Sequence, residues 1–100
     1  MMEYHPIEAV SAWLRNAYGA TEVRVIPLDR ADSILLRVYD GSGRGPRPEI
    51  EITDEALEDW STSDIIADLE LHNVIARLKM APSDRLRYDN LRQVAVISPL

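Results

Sequence analysis

Apolar residues recur at three- and four-residue intervals near the start of the chain and predict an amphipathic helix over residues 6–18. Pro6 suits the first position of a helix, and Gly19 suits its stop. We expect the apolar face of this helix to pack against a sheet. The residues on that face are Ile7, Val10, Leu14, Ala17 and Tyr18.

The next three stretches alternate apolar and polar residues, which predicts three short β-strands. They comprise residues 22–28, 33–39 and 49–53. Pro27 has no N–H to donate, so the first strand either ends there or lies at an edge of the sheet. Because the links are short, neighbouring strands are expected to pair antiparallel and to form a meander.

The second half of the chain favours helices. Thr53 is a good N-cap for a short helix over residues 54–60. Good helix formers dominate residues 64–80 and predict one long helix, although residues 74–80 also alternate as a strand would. The long helix would be apolar on two sides, so both sides would have to be buried.

The C-terminal segment has two interpretations. It forms either a short helix capped by Ser83 and ending at Arg92, or a hairpin that turns at Asp89 and Asn90. In both cases the run over residues 94–97 predicts a last strand. The predicted fold is α+β, with an N-terminal helix, a three-stranded antiparallel meander, one or two helices and a C-terminal strand.

Composition narrows the class of protein. The chain has 100 residues, is 46% hydrophobic and contains no cysteine, which predicts a single domain over residues 1–100. The missing cysteines exclude a disulfide scaffold and a cysteine-based zinc site. The longest aliphatic run is far shorter than a membrane helix, and the first residues lack a secretory signal. We therefore expect a cytoplasmic protein with no membrane partner.

Charge is unevenly distributed along the chain, whose net charge is −6. Residues 49–70 contain nine acidic residues and no basic one. An acidic surface disfavours nucleic acid, because phosphate recognition requires clusters of basic residues. Such a surface suits a basic protein partner instead.

The sequence motifs that could indicate ligand binding, metal binding or catalysis are weak. The Gly-rich stretch over residues 40–48 lacks the third glycine of a dinucleotide-binding loop and precedes a strand, which leaves Arg44 and Arg47 as contacts on a loose loop. Asp68 and His72 are four residues apart, without a metal-binding or catalytic motif around them. We assign no catalytic, cofactor-binding or metal-binding residue and expect the protein not to be an enzyme.

Two family resemblances concern the order of elements. Helix, three strands and helix resembles a double-stranded-RNA-binding domain, but the acidic run Thr53-Asp54-Glu55-Ala56 stands where that family is basic, and we expect no RNA binding. With a strand over residues 74–80, the order of elements becomes helix, three strands, helix and two strands. That order is similar to the order in the small acidic dimeric chaperones of type III secretion. That second resemblance implies a dimer that holds unfolded segments of other proteins.

The sequence contains more apolar residues than the predicted core of one domain uses. A small domain must bury them, and a two-fold dimer is the commonest solution, so we predict a homodimer that acts through protein–protein contacts. The alternative is an acidic binding or inhibitor protein, or a secretion-chaperone-like protein, that engages a basic partner through residues 49–70. The candidate partner-binding residues are Leu71, Val74, Ile75, Trp60, Arg44 and Arg47.

Overall fold

The computed structural model describes residues 6–41, 43 and 45–97, and its elements belong to the predicted α+β class. No helix in these ranges is long and apolar enough to cross a membrane. The helices are α1 (Pro6–Tyr18), α2 (Asp54–Asp59), α3 (Thr62–Leu71) and α4 (Val74–Met80). The strands are β1 (Glu22–Leu28), β2 (Ser33–Tyr39), β3 (Glu49–Thr53), β4 (Arg85–Tyr88) and β5 (Val94–Ile97).

The strands form one five-stranded sheet in the order β1-β2-β3-β4-β5. The antiparallel meander of β1, β2 and β3 is confirmed, and so is the last strand, β5. The predicted strand count is too low, because β4 also joins the sheet, parallel to β3 and antiparallel to β5. A parallel step needs a long crossover, which the segment containing α2, α3 and α4 supplies.

The helices cover one face of this mixed sheet and enclose the core. Val25 shares that face by its register with Leu36, but it is 41% exposed because it lies on an outermost strand. The buried side chains of the core come from α1, α2, α3, α4 and from β2, β3 and β4. They are Ile7, Val10, Leu14, Leu36, Val38, Ile50, Ile52, Ala56, Ile65, Leu69, Val74, Leu78, Leu86 and Tyr88.

The predicted helix over residues 64–80 is broken at Asn73. Asn73 has a φ of 54°, a left-handed conformation that asparagine adopts more readily than most residues. The break redirects the chain between α3 and α4, so that Leu69, Val74 and Leu78 are all fully buried. One core therefore receives apolar residues from both sides of the predicted long helix. The strand interpretation of residues 74–80 is wrong, because that stretch forms α4. Two strands do follow the helices, but they are β4 and β5.

The C-terminal segment is the hairpin and not the short helix. β4 and β5 pair around the connection at residues 89–93. The Asp89 carboxylate accepts hydrogen bonds from the backbone N–H groups of Leu91 at 3.0 Å and Gln93 at 3.3 Å. Aspartate favours such turns because its side chain satisfies backbone donors a few residues ahead.

Candidate interaction surfaces

The outer edge of β5 carries only apolar side chains, and no described strand pairs with it. Val96 on this strand is 48% exposed. The hairpin closes with a 3.2 Å hydrogen bond from the N–H of Asp89, and the register then directs the backbone groups of Ala95 and Ile97 towards β4. The N–H and C=O groups of Val94 and Val96 therefore point away from the sheet.

The outer edge of β1 has a different construction. Its register with β2 directs the backbone groups of Val23, Val25 and Pro27 away from the sheet. Pro27 offers no N–H there, and the strand also carries the charged Glu22 and Arg24. Proline and charge are the features with which natural edge strands avoid pairing with other chains.

The second face of the sheet, which we call the open face, has no described helix packed against it and carries a network of arginine and glutamate. Arg37 Nε donates to Glu49 Oε2 at 2.8 Å, and Arg85 Nε donates to Glu49 Oε1 at 3.1 Å. Arg85 Nη1 also donates to Glu51 Oε1 at 3.4 Å. The pairing with Glu49 raises the pKa of Arg37, so that guanidinium stays charged. Opposite charges on neighbouring strands stabilise a sheet of this kind.

Glu51 is only 5% exposed although it lies on the open face. Its Oε2 accepts a 3.0 Å hydrogen bond from the hydroxyl of Ser33 and lies 3.2 Å from Nε of Arg87. The geometry of the second contact does not make a hydrogen bond, and that Nε is buried without a hydrogen-bond partner among the described residues. Leu35, the register partner of Glu51, is also buried, because long charged side chains shield apolar neighbours with their stems.

Two guanidinium groups contact the ring of Tyr39 on the same face. The guanidinium carbon of Arg24 lies 4.5 Å from the ring centre and that of Arg47 lies 4.6 Å from it. Arg24 also pairs with Glu22 at 3.2 Å. Cation–π contacts of this kind tie the Gly-rich loop to the sheet through Arg47. Arg44, the other predicted contact of that loop, lies outside the described residues.

A buried carboxylate ties α3 to the hairpin of β4 and β5. Asp68 accepts hydrogen bonds from the hydroxyl of Tyr88 at 2.5 Å and from Arg92 at 2.7 Å and 3.1 Å. The Arg92 guanidinium carbon also lies 4.7 Å from the ring centre of Trp60, whose indole N–H donates to the backbone oxygen of Asn90 at 2.8 Å. We call these four side chains, Asp68, Tyr88, Arg92 and Trp60, the hairpin anchor.

The anchor keeps its carboxylate ionised. The hydrogen-bonded Arg92 lowers the pKa of Asp68 below its ordinary value, and the hydroxyl of Tyr88 adds to the effect, while burial opposes it. Burial, and then the hydrogen bond to Asp68, raises the pKa of Tyr88. His72 is half-buried at the end of α3, and the described residues hold no group of three or more side chains that could bind a metal.

A groove of about 440 Å³ lies where α1 meets the end of α3 and α4. Its apolar lining includes Trp13, Ala17 and Ile75, and Glu70 and Lys79 contribute charged groups of opposite sign. This groove is shallow and open, and it is a second exposed surface with apolar character.

The structure distributes the predicted partner-binding residues over several surfaces. Val74 is fully buried and has no side chain to offer a partner, whereas Leu71 is 76% exposed. Ile75 lines the groove, Trp60 belongs to the hairpin anchor, and Arg47 lies on the open face. The predicted residues therefore do not form one contiguous surface.

The predicted acidic surface over residues 49–70 is also divided. Glu49 and Glu51 pair with arginines on the open face, and Asp68 is buried in the hairpin anchor. The remaining six acidic residues lie on α2 and α3. They are Asp54, Glu55, Glu58, Asp59, Asp64 and Glu70.

Two features escaped the sequence analysis. The apolar run of β5 was visible, but its position at an edge depends on the crossover that places β4 beside β3. Asp68, Tyr88 and Arg92 are too far apart in sequence for any local spacing to indicate their contact.

Comparison with known proteins adds no relative: no family model, no curated protein and no solved structure matches this chain. The surfaces of the molecule itself therefore carry the functional inference.

Proposed function

We propose that this protein is a homodimeric protein–protein interaction module whose two copies pair through the outer edges of β5. The observation that carries the proposal is the unprotected character of that edge. It has outward N–H and C=O groups at Val94 and Val96 and carries neither proline nor charge. An edge of this kind is a ready template for pairing with another strand.

The sequence of β5 is compatible with a two-fold pairing. With the axis at Ala95, Val94 of one copy faces Val96 of the second copy, and each pair exchanges both backbone hydrogen bonds. Ala95 would then meet its own copy at a non-hydrogen-bonded position, where the Cα atoms approach to about 4.5 Å and a small side chain fits best. The half-exposed Val96 would be covered by valine from the second copy.

Pairing of this type joins two five-stranded sheets into one continuous sheet. The two-fold axis stands perpendicular to that sheet, so both open faces lie on the same side of the dimer. The module would then present one broad charged surface on one side and helices on the other. This arrangement meets the definition of an isologous interface, which closes after two copies.

Light scattering on a gel-filtration peak tests the proposal with two matched variants. Val96→Lys puts a charge on the β5 edge, and Val25→Lys makes the same change at the similarly exposed Val25 of β1. We expect the wild type and Val25→Lys to have twice the chain mass of 11.3 kDa, and Val96→Lys to have the single-chain mass.

Three outcomes would contradict this assignment. A wild-type monomer at all concentrations removes the dimer. Equal dissociation by both lysine variants removes the specific role of β5. A monomer produced by Leu71→Asp with Ile75→Asp, while Val96→Lys stays dimeric, moves the interface to the end of α3 and the groove.

A second candidate is the acidic binding protein that engages a basic partner. It draws support from the six acidic residues on α2 and α3, a stretch with no basic residue. An association of that kind weakens steeply between about 50 and 300 mM salt, whereas edge pairing does not. Light scattering of this protein alone reports edge pairing, and light scattering of its mixture with a basic protein at the two salt concentrations reports the second association.

A further inference from the structure

The open face carries a charge opposite to that of the whole chain. Five arginines and three glutamates occupy it among the described residues, an excess of two positive charges on a chain of net charge −6. The arginines are Arg24, Arg37, Arg47, Arg85 and Arg87, and the glutamates are Glu22, Glu49 and Glu51.

The internal ion pairs leave this positive charge incompletely compensated. Arg24 and Arg37 are direct register partners on β1 and β2, and like charges in that position destabilise a sheet. The Nε of Arg87 is buried without a hydrogen-bond acceptor among the described residues. An anionic group laid over these arginines would compensate the excess charge.

The guanidinium groups of the open face suit a ligand that carries carboxylates. Guanidinium groups bind carboxylates through two parallel hydrogen bonds, and the open face offers them from three strands, β1, β2 and β4. Neighbouring strands are about 4.8 Å apart, so the distance from Arg24 to Arg85 corresponds to about four residues of extended chain. An extended segment with glutamate or aspartate at alternate positions matches that spacing.

Single-stranded nucleic acid fits the face less well. Its recognition depends on bases that stack on free aromatic rings. Tyr39 is the tyrosine that the strands place on this face, and two guanidinium groups already lie against its ring.

We propose that the open face binds an acidic, extended segment of a partner protein through Arg24, Arg37, Arg85 and Arg87. This inference goes beyond dimer formation and does not depend on it, because a single copy carries all four arginines. Dimerisation would only double the number of such surfaces on one side of the molecule.

Fluorescence anisotropy with a labelled peptide of about twelve alternating glutamate and threonine residues tests the proposal. The test variant is Arg24→Gln with Arg87→Gln. The matched control is Arg15→Gln with Arg77→Gln, which removes the same charge from α1 and α4. At about 20 mM salt we expect the test variant to weaken binding about tenfold and the control by less than about twofold.

A third variant and a second probe complete the experiment. Arg24→Lys with Arg87→Lys keeps the charge and loses the planar fork, so an intermediate loss of affinity is expected. The proposal is overturned if the wild type does not bind the acidic peptide, or if the control variant loses as much affinity as the test variant. Tighter binding of an oligothymidine of equal charge would assign the face to nucleic acid instead. Circular dichroism on every variant verifies that the fold is intact.

Discussion

The two edges of the sheet differ in composition although they belong to one sheet. β1 ends the sheet with Pro27, Glu22 and Arg24, whereas β5 ends it with four apolar residues. A lone β5 edge would be an aggregation hazard, and natural sheets remove such hazards with charge, proline or cover. In this molecule proline and charge protect the β1 edge against strand pairing and leave the β5 edge unprotected. We therefore assign the partner to the β5 edge.

The edges also differ in what holds them to the domain. β1 lies beside α1, whose buried face contributes Ile7, Val10 and Leu14 to the core. The hairpin of β4 and β5 depends in addition on the hairpin anchor, in which Asp68 binds Tyr88 and Arg92. Apolar packing therefore secures the β1 side, and a buried polar cluster secures the β5 side.

Removal of the anchor carboxylate should give the largest effect. Asp68→Ala leaves the fully buried hydroxyl of Tyr88 without its acceptor, and we expect the free energy of unfolding to fall by about 3 kcal/mol. Urea denaturation measures the loss. Asp68→Ala should increase the hydrogen-exchange rates of the Ala95 and Ile97 amides, which face β4. The increase should be larger there than at the amides of Arg24 and Ile26, which face β2.

Glu70→Ala provides the control for that experiment. Glu70 lies on the same helix with an exposed side chain, so its removal should change the free energy of unfolding by less than about 0.5 kcal/mol. If Asp68→Ala accelerated exchange equally at both edges, the anchor would support the whole domain, and the proposed division between the two sides of the sheet would be wrong.

Much of this contrast was within reach of sequence analysis, and the part that was not has a physical reason. Alternation identified β1, β2 and β3, and Pro27 indicated an edge, because both signals come from residues next to one another. The break at Asn73 was missed because helix formers lie on both sides of it. The parallel pairing of β4 with β3 was missed because no local pattern encodes a crossover.

The candidate surfaces were harder to predict than the fold. The acidic run over residues 49–70 predicts one surface, but strand alternation turns Glu49 and Glu51 to the open face while the helices carry the rest. The arginines that meet them come from β2 and β4, on either side of β3. A surface assembled from three strands becomes visible only when their order is known.

Acid should remove the stabilisation that Asp68 gives to the hairpin anchor. The pKa of Asp68 is lowered in the folded protein, chiefly by Arg92, so its stabilising contribution is complete above the ordinary value of 3.8 and is lost as the pH falls through the lower folded value. We expect the difference in unfolding free energy between wild type and Asp68→Asn to be constant above about pH 5 and to shrink below it.

Denaturation at a series of pH values measures that difference. The amide side chain introduced by Asp68→Asn does not titrate, so the pH dependence of this variant reports the remaining carboxylates and serves as the internal reference. A difference that grew on acidification would have the wrong sign for a lowered pKa and would contradict the ionised state of the anchor. Arg92, Tyr88 and His72 are the titratable groups that face Asp68.

The smallest effect is expected when the β1 edge receives the missing donor. Pro27→Val restores an outward N–H, but Glu22 and Arg24 still flank it, so the mass on gel filtration should stay that of the wild type. Stability should fall by less than about 1 kcal/mol, because the unfolded chain gains freedom while valine favours the strand. Species larger than a dimer would show that proline alone keeps this edge unpaired. The charges of β1 would then have no protective role, and the difference between the two edges would reduce to a single N–H group.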